Sequence, residues 1–159
     1  MKIKGIIDCD FINYKEPTLT IEFPYCSFKC DELNGAPVCQ NSALRKEPDI
    51  EISGEEIWNL YTANPITKGF CFQGLEPFDS LMDLAELLHF IRVDKQCNDV
   101  IVIYTGYNKN EDFLVENMIR KYHNIIIKWG RYIVGHKPHY DEALGIMLAS
   151  DNQYAEVIE

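Results

Sequence analysis

The apolar positions of this chain change period several times, and each change marks an element. Ile3, Ile7, Cys9 and Phe11 share one parity, which predicts a half-buried strand. A break spans Asn13 to Pro17. Leu19, Ile21 and Phe23 then alternate with Thr18, Thr20 and Glu22, a second strand that closes an N-terminal hairpin. Ser53-Gly54-Glu55-Glu56 reads as a capping box opening a helix with Ile57, Leu60 and Tyr61 inward, stopped by Asn64-Pro65. Gly69 to Gln73 is a short apolar strand ending at Gly74. Asp79 is the expected N-cap of a helix whose apolar face is Leu81, Leu84, Ala85, Leu88 and Ile91.

Val100 to Tyr104 is apolar without alternation, the pattern of a strand buried on both faces of a parallel sheet. A helix over Glu111 to Tyr122 follows, with Leu114, Met118 and Tyr122 inward. Ile125 to Ile127 forms the next strand, with Arg131 to Val134 as its continuation past Gly130. One more apolar piece, Leu144 to Leu148, lies near the end. Strands alternating with helices predict an α/β fold with a mostly parallel sheet. Ligands in such folds gather at the C-terminal strand ends. Three loops leave those ends: the segment after Phe23, Gly74-Leu75-Glu76, and Thr105-Gly106-Tyr107.

Composition narrows the classes. At 159 residues, 47% hydrophobic and without repeats or low-complexity tracts, residues 1–159 read as a single domain with a full core. The formal net charge of -10 argues against nucleic acid or an anionic membrane as partner, since both demand a positive footprint. No apolar run reaches the roughly 20 residues of a membrane span, and the N-terminus lacks a signal-peptide core. A cytoplasmic location follows as the expectation. There, clustered cysteines are metal ligands or redox groups more often than disulfides.

Half of the six cysteines fall in one loop: Cys26, Cys30 and Cys39. Polar neighbours (Lys29, Asp31, Glu32, Asn34) set them apart from Cys9, Cys71 and Cys97, which read as packing residues. Iron–sulfur clusters are held by thiolates, and a cubane normally takes four, so three would leave one iron open. Zinc with three cysteines is the rival, although His89, His123, His136 and His139 all lie far along the chain.

Six segments in order carry a resemblance. They are Asp10-Phe11-Ile12-Asn13, the cysteine motif closing on Cys39-Gln40-Asn41, Gly74-Leu75-Glu76-Pro77, Tyr104-Thr105-Gly106-Tyr107, Gly130-Arg131-Tyr132 and Ala149-Ser150-Asp151-Asn152-Gln153. Along nearly its whole length the chain resembles the small radical S-adenosylmethionine (SAM) activating proteins of anaerobic ribonucleotide reductase. It departs at two places. Eight residues, Asp31 to Val38, separate Cys30 from Cys39 where the family usually has two, and Lys128-Trp129 stands where the family often has Asp. Closure entropy grows slowly with length, so such an insertion costs little.

The resemblance implies a small open partial (β/α) barrel. It implies a [4Fe-4S] cluster on Cys26, Cys30 and Cys39, and SAM bound at the open iron beside Asn41, Gly74, Glu76, Thr105, Gly106 and Tyr107. Glu76 would accept from an ammonium group, Thr105 and Tyr107 would offer hydroxyls near the ribose or carboxylate, and Phe28 would shield the cluster. It also implies a glycyl radical enzyme as protein substrate and an electron donor such as a flavodoxin or ferredoxin. Two alternatives stand beside this: a non-catalytic iron–sulfur or electron-relay protein, with Asp31 or Glu32 closing the open iron, and a radical SAM enzyme with another substrate.

Overall fold

A six-stranded sheet organises the computed structural model, which describes residues 1–159. The chain enters through a two-residue strand β1 (Lys2–Ile3), then forms β2 (Gly5–Asp10) and β3 (Thr18–Phe23), paired antiparallel. From β3 the sheet continues through β5 (Gly69–Gly74), β6 (Val100–Tyr104) and β7 (Ile125–Trp129), all parallel neighbours. The final strand, β10 (Tyr154–Ile158), returns antiparallel along β7. The central sheet is thus mostly parallel with an antiparallel strand at each edge, as the α/β pattern and the N-terminal hairpin predict.

Between β3 and β5 lie α1 (Lys29–Asn34), a 3₁₀ turn Ser42–Lys46, β4 (Ile50–Glu51) on β1, and α2 (Gly54–Ala63). The capping box at Ser53 and Glu56 is formed in both directions. Helix α3 (Leu81–His89) links β5 to β6, and α4 (Phe113–Ile119) links β6 to β7. A hairpin of β8 (His139–Asp141) and β9 (Ile146–Leu148) precedes β10. No helix is long and apolar enough to cross a membrane.

Strand alternation divides the buried residues into two layers. Leu19, Ile21, Phe23, Phe70, Phe72, Ile101, Ile103, Ile127 and Trp129 meet Ile57, Leu84, Leu88 and Ile119 of the helices. The opposite face carries Cys71, Val102 and Ile126 beneath Tyr14, Leu144 and Leu148. The unbroken apolar run of β6 therefore reflects burial on both sides. Past this second layer the same face becomes polar, with Gln73, Tyr104 and Lys128 opening onto a cavity.

Several expected details differ. The strand starting at Ile3 is broken at Lys4, whose N–H donates to the Glu22 carbonyl, and a bulge follows between Ile7 and Asp10. A single-residue slip reverses which side faces the core. Ile7 and Phe11 are consequently exposed, while Asp10 is buried. Leu60 points outward from α2. Helix α4 is shorter than Glu111 to Tyr122, and Val115 and Ile119 fill the core instead of the solvent-facing Leu114. Asp79 is not a helix N-cap; it lies within the 3₁₀ turn Pro77–Ser80, which Glu76 caps. Arg131 to Val134 does not continue β7, because the chain turns at Gly130 with φ of 97°.

Candidate iron–sulfur centre

The three loops expected at the strand ends do meet. Backbone bonds run from Leu75 N–H to the Phe23 carbonyl (3.2 Å), from Glu76 N–H to Tyr25 (2.8 Å), and from Gly130 N–H to Tyr107 (2.9 Å). Together they enclose a cavity of about 410 Å³ on the side of the sheet away from α2, α3 and α4, and Cys26, Cys30 and Cys39 all line it. Two other clefts, of about 700 and 580 Å³, lie against α2 and α3 and contain no cysteine.

The cysteine loop is fastened along its length. Phe28 adopts the left-handed conformation (φ 54°), which aims its N–H at Cys26 Sγ, 3.2 Å away. Its ring stacks under the Arg45 guanidinium at 4.7 Å. Ser27 N–H donates to Asp79 (2.7 Å), whose other oxygen accepts from the Tyr107 hydroxyl (2.6 Å). At the far end the Asn41 amide donates to the Gly74 carbonyl (2.9 Å), joining the close of the cysteine motif to the end of β5. Burial pushes the Cys26 thiol up to about 12 and raises Cys39 as well. Both are thiols at neutral pH, so metal or cluster binding there must release protons.

Opposite the thiols stand two buried charged groups. Glu76 is 5% exposed; its carboxylate accepts from Gly106 N–H (2.8 Å) and Phe78 N–H (3.1 Å). Burial pushes its pKa up to about 7 against those bonds. Lys128 is 7% exposed, and its ammonium donates to the Gly130 carbonyl at 2.9 Å. Burial lowers it to about 8, although Glu76 and Cys30 act in the other direction. The two do not form an ion pair with each other. An ammonium has three donors, so Lys128 keeps two for whatever enters the cavity.

The remaining sequence-derived site residues divide by what they do. Gly106 brings bare backbone to the centre: a Cβ there would stand 3.5 Å from Cys30 Sγ and 3.4 Å from Glu76. Thr105 lines the cavity, and its hydroxyl accepts the Tyr107 N–H (3.0 Å). The Tyr107 hydroxyl, expected near a ribose or carboxylate, is spent on Asp79 instead and lies outside the cavity lining. Gly74 borders the cavity, yet its glycine is required by φ of 98° and by β3, since a Cβ would sit 2.7 Å from Glu22 Cα.

Sequence reasoning noted Lys128 only as a departure from the family's Asp and missed it as a cavity residue. The visible signal was a lone charge within Ile-Ile-Ile-Lys-Trp. It also missed Asp79 as the tie between two loops. The insert acids do not line the cavity: one oxygen of Asp31 accepts backbone N–H groups within its own loop, and Glu32 is exposed.

This donor set suits a multi-iron group better than a single ion. No three Cys, His, Asp or Glu side chains converge closely enough to hold one metal ion. Three thiols spread around one cavity wall can each meet a different corner of a cluster. A cysteine-lined cavity at the mouth of an α/β sheet fits an iron–sulfur protein. The family model described as a 4Fe-4S single cluster domain matches residues 19–153, and the chain belongs to that radical SAM-related iron–sulfur family. No curated protein and no solved structure matches the chain significantly.

Proposed function

We propose that this chain is a radical SAM activating enzyme, built as a small open partial (β/α) barrel. The observation that carries the reading is the convergence in one cavity of three thiols with two buried ionisable groups, the Glu76 carboxyl and the Lys128 amine, which form no ion pair with each other. That set complements a zwitterionic amino-acid headgroup next to a cluster, which is the methionine end of SAM.

Cys26, Cys30 and Cys39 would hold the [4Fe-4S] cluster, which when bound supplies one electron and an iron with a free position. Lys128 directs two spare donors at the SAM carboxylate. Glu76 has one further lone-pair site for the ammonium group beyond its bonds to Gly106, Phe78 and the Thr105 side chain. Gly106 and Thr105 give the sulfonium room beside Cys30, and Asn41 and Gly74 hold the floor between the cysteine loop and β5. With SAM bound there, one electron from the cluster would supply reductive cleavage to methionine and a 5′-deoxyadenosyl radical, which would take a hydrogen atom from a glycine of the partner and leave as 5′-deoxyadenosine. The partner is a glycyl radical enzyme, in the first place anaerobic ribonucleotide reductase, and a flavodoxin or ferredoxin in the cytoplasm delivers the electron. Engagement of Asp31 within its own loop argues against the electron-relay alternative, which needs a fourth protein ligand.

Anaerobic reconstitution with iron and sulfide, followed by SAM and a strong reductant, tests this. Formation of 5′-deoxyadenosine is expected, and a glycyl radical signal by EPR once the reductase is added. A fully loaded cluster that yields no 5′-deoxyadenosine would sink the enzyme reading. Lys128→Met should weaken SAM binding by about tenfold, the worth of one charge-assisted bond, with iron content unchanged.

A further inference from the structure

The eight residues between Cys30 and Cys39 are neither an idle loop nor a source of an extra ligand. We propose that they form a clasp in which Asp31 and Asn34 are positioning residues that present Cys39 to the cavity. The proposal rests on the reading of Cys39 as a cluster ligand.

The segment folds back on itself. Helix α1 ends at Gly35 (φ 63°), where Gly35 N–H bonds to the Glu32 carbonyl and Ala36 N–H to Asp31. Past Pro37 the chain returns, and a single oxygen of Asp31 accepts the N–H groups of both Val38 (2.8 Å) and Cys39 (2.9 Å). The carboxylate of the residue after the second cysteine thus fixes the backbone of the third. Asn34 fastens the outside of the turn. Its amide donates to the carbonyls of Cys30 (2.7 Å) and Tyr132 (2.9 Å), and its oxygen accepts the Val134 N–H (2.9 Å). Within the insert, Asp31, Asn34 and Val38 are half-buried, whereas Glu32, Leu33, Gly35, Ala36 and Pro37 are exposed. A passive insertion would leave those polar side chains to water; here they bind backbone at both ends of the loop and on the segment after β7.

The test compares Asp31→Ala, Asp31→Asn, Asn34→Ala and Cys39→Ala. It reads iron and sulfide per chain, cluster loss to a chelator, the EPR line shape of the reduced cluster, and alkylation of each cysteine in the apo-protein by mass spectrometry. Asp31→Ala is expected to lose its cluster about tenfold faster, the factor one charge-assisted hydrogen bond is worth. Its line shape changes, and Cys39 is alkylated faster while Cys26 is not. Asp31→Asn keeps an acceptor oxygen and falls between. If Asp31→Ala does not fold, Asn34→Ala carries the same expectations. Wild-type loss rate, line shape and Cys39 alkylation in the folded variants overturn the clasp. Loss of the cluster in Cys39→Ala alongside unchanged Asp31 and Asn34 variants rejects the clasp and leaves the ligand reading intact. A full cluster retained by Cys39→Ala rejects both.

Discussion

Glu76 shows how one residue's environment turns into a measurable property. Its pKa is pushed from 4.5 to about 7 chiefly by burial, so the apo-fold holds this proton more tightly than the unfolded chain does. Stability from that tighter hold is fully present below about pH 4.5 and is lost as pH rises through about 7. Denaturant titrations of the apo-protein should show this decline, and Glu76→Gln should flatten it between those pH values. An unchanged slope in the variant would mean that Glu76 is not the titrating group. That Thr105 and Gly106 line the cavity was legible, because they follow directly on a buried parallel strand and so stand at its C-terminal end. Tyr107 was misjudged for a physical reason: its partner Asp79 is 28 positions away in the chain, and only the fold sets the two side by side.

Elements follow the sequence wherever the apolar period is long and clean. The runs of β3, β5, β6 and β7 each have one way to lie against the helices, and the capping box starts α2 at Gly54. Short or edge elements escaped. Helix α1 buries no residue and β10 is an edge strand, so neither shows a strong pattern. The junction of β5 with the site is set by Gly74, whose positive φ and closeness to Glu22 exclude a side chain. Gly74→Ala should destabilise the protein by about 2 kcal/mol or more, from backbone strain and displacement of β3. Urea unfolding measures this, and a loss under half that size would show that the turn adapts.

For the whole molecule, the main core and the centre are separable. The layer between sheet and helices contains none of the three loop cysteines. Removing the cluster should therefore leave the sheet folded, unlike small zinc domains that unfold without metal. Far-UV circular dichroism of the chelated protein should remain close to that of the loaded one, with a lower thermal midpoint because a ligand that binds only the native state stabilises it. Loss of the sheet signal on chelation would contradict this separation.

The sequence by itself determined the class of fold and the loop in which three cysteines gather. Period decides which residues can be buried, and three thiols amid polar neighbours in one loop have few other uses. Tertiary structure decided how the charges are arranged around those thiols. Lys128 faces the cavity because strand alternation puts it on the side away from α2, α3 and α4, beside Gln73 and Tyr104 and next to Glu76 from another loop. The insert, a bare spacing in the sequence, becomes a clasp only when Asn34 meets Tyr132 and Val134 nearly a hundred residues away. Local patterns are written in neighbouring residues, whereas hydrogen bonds between distant loops exist only after the sheet has brought its strand ends together.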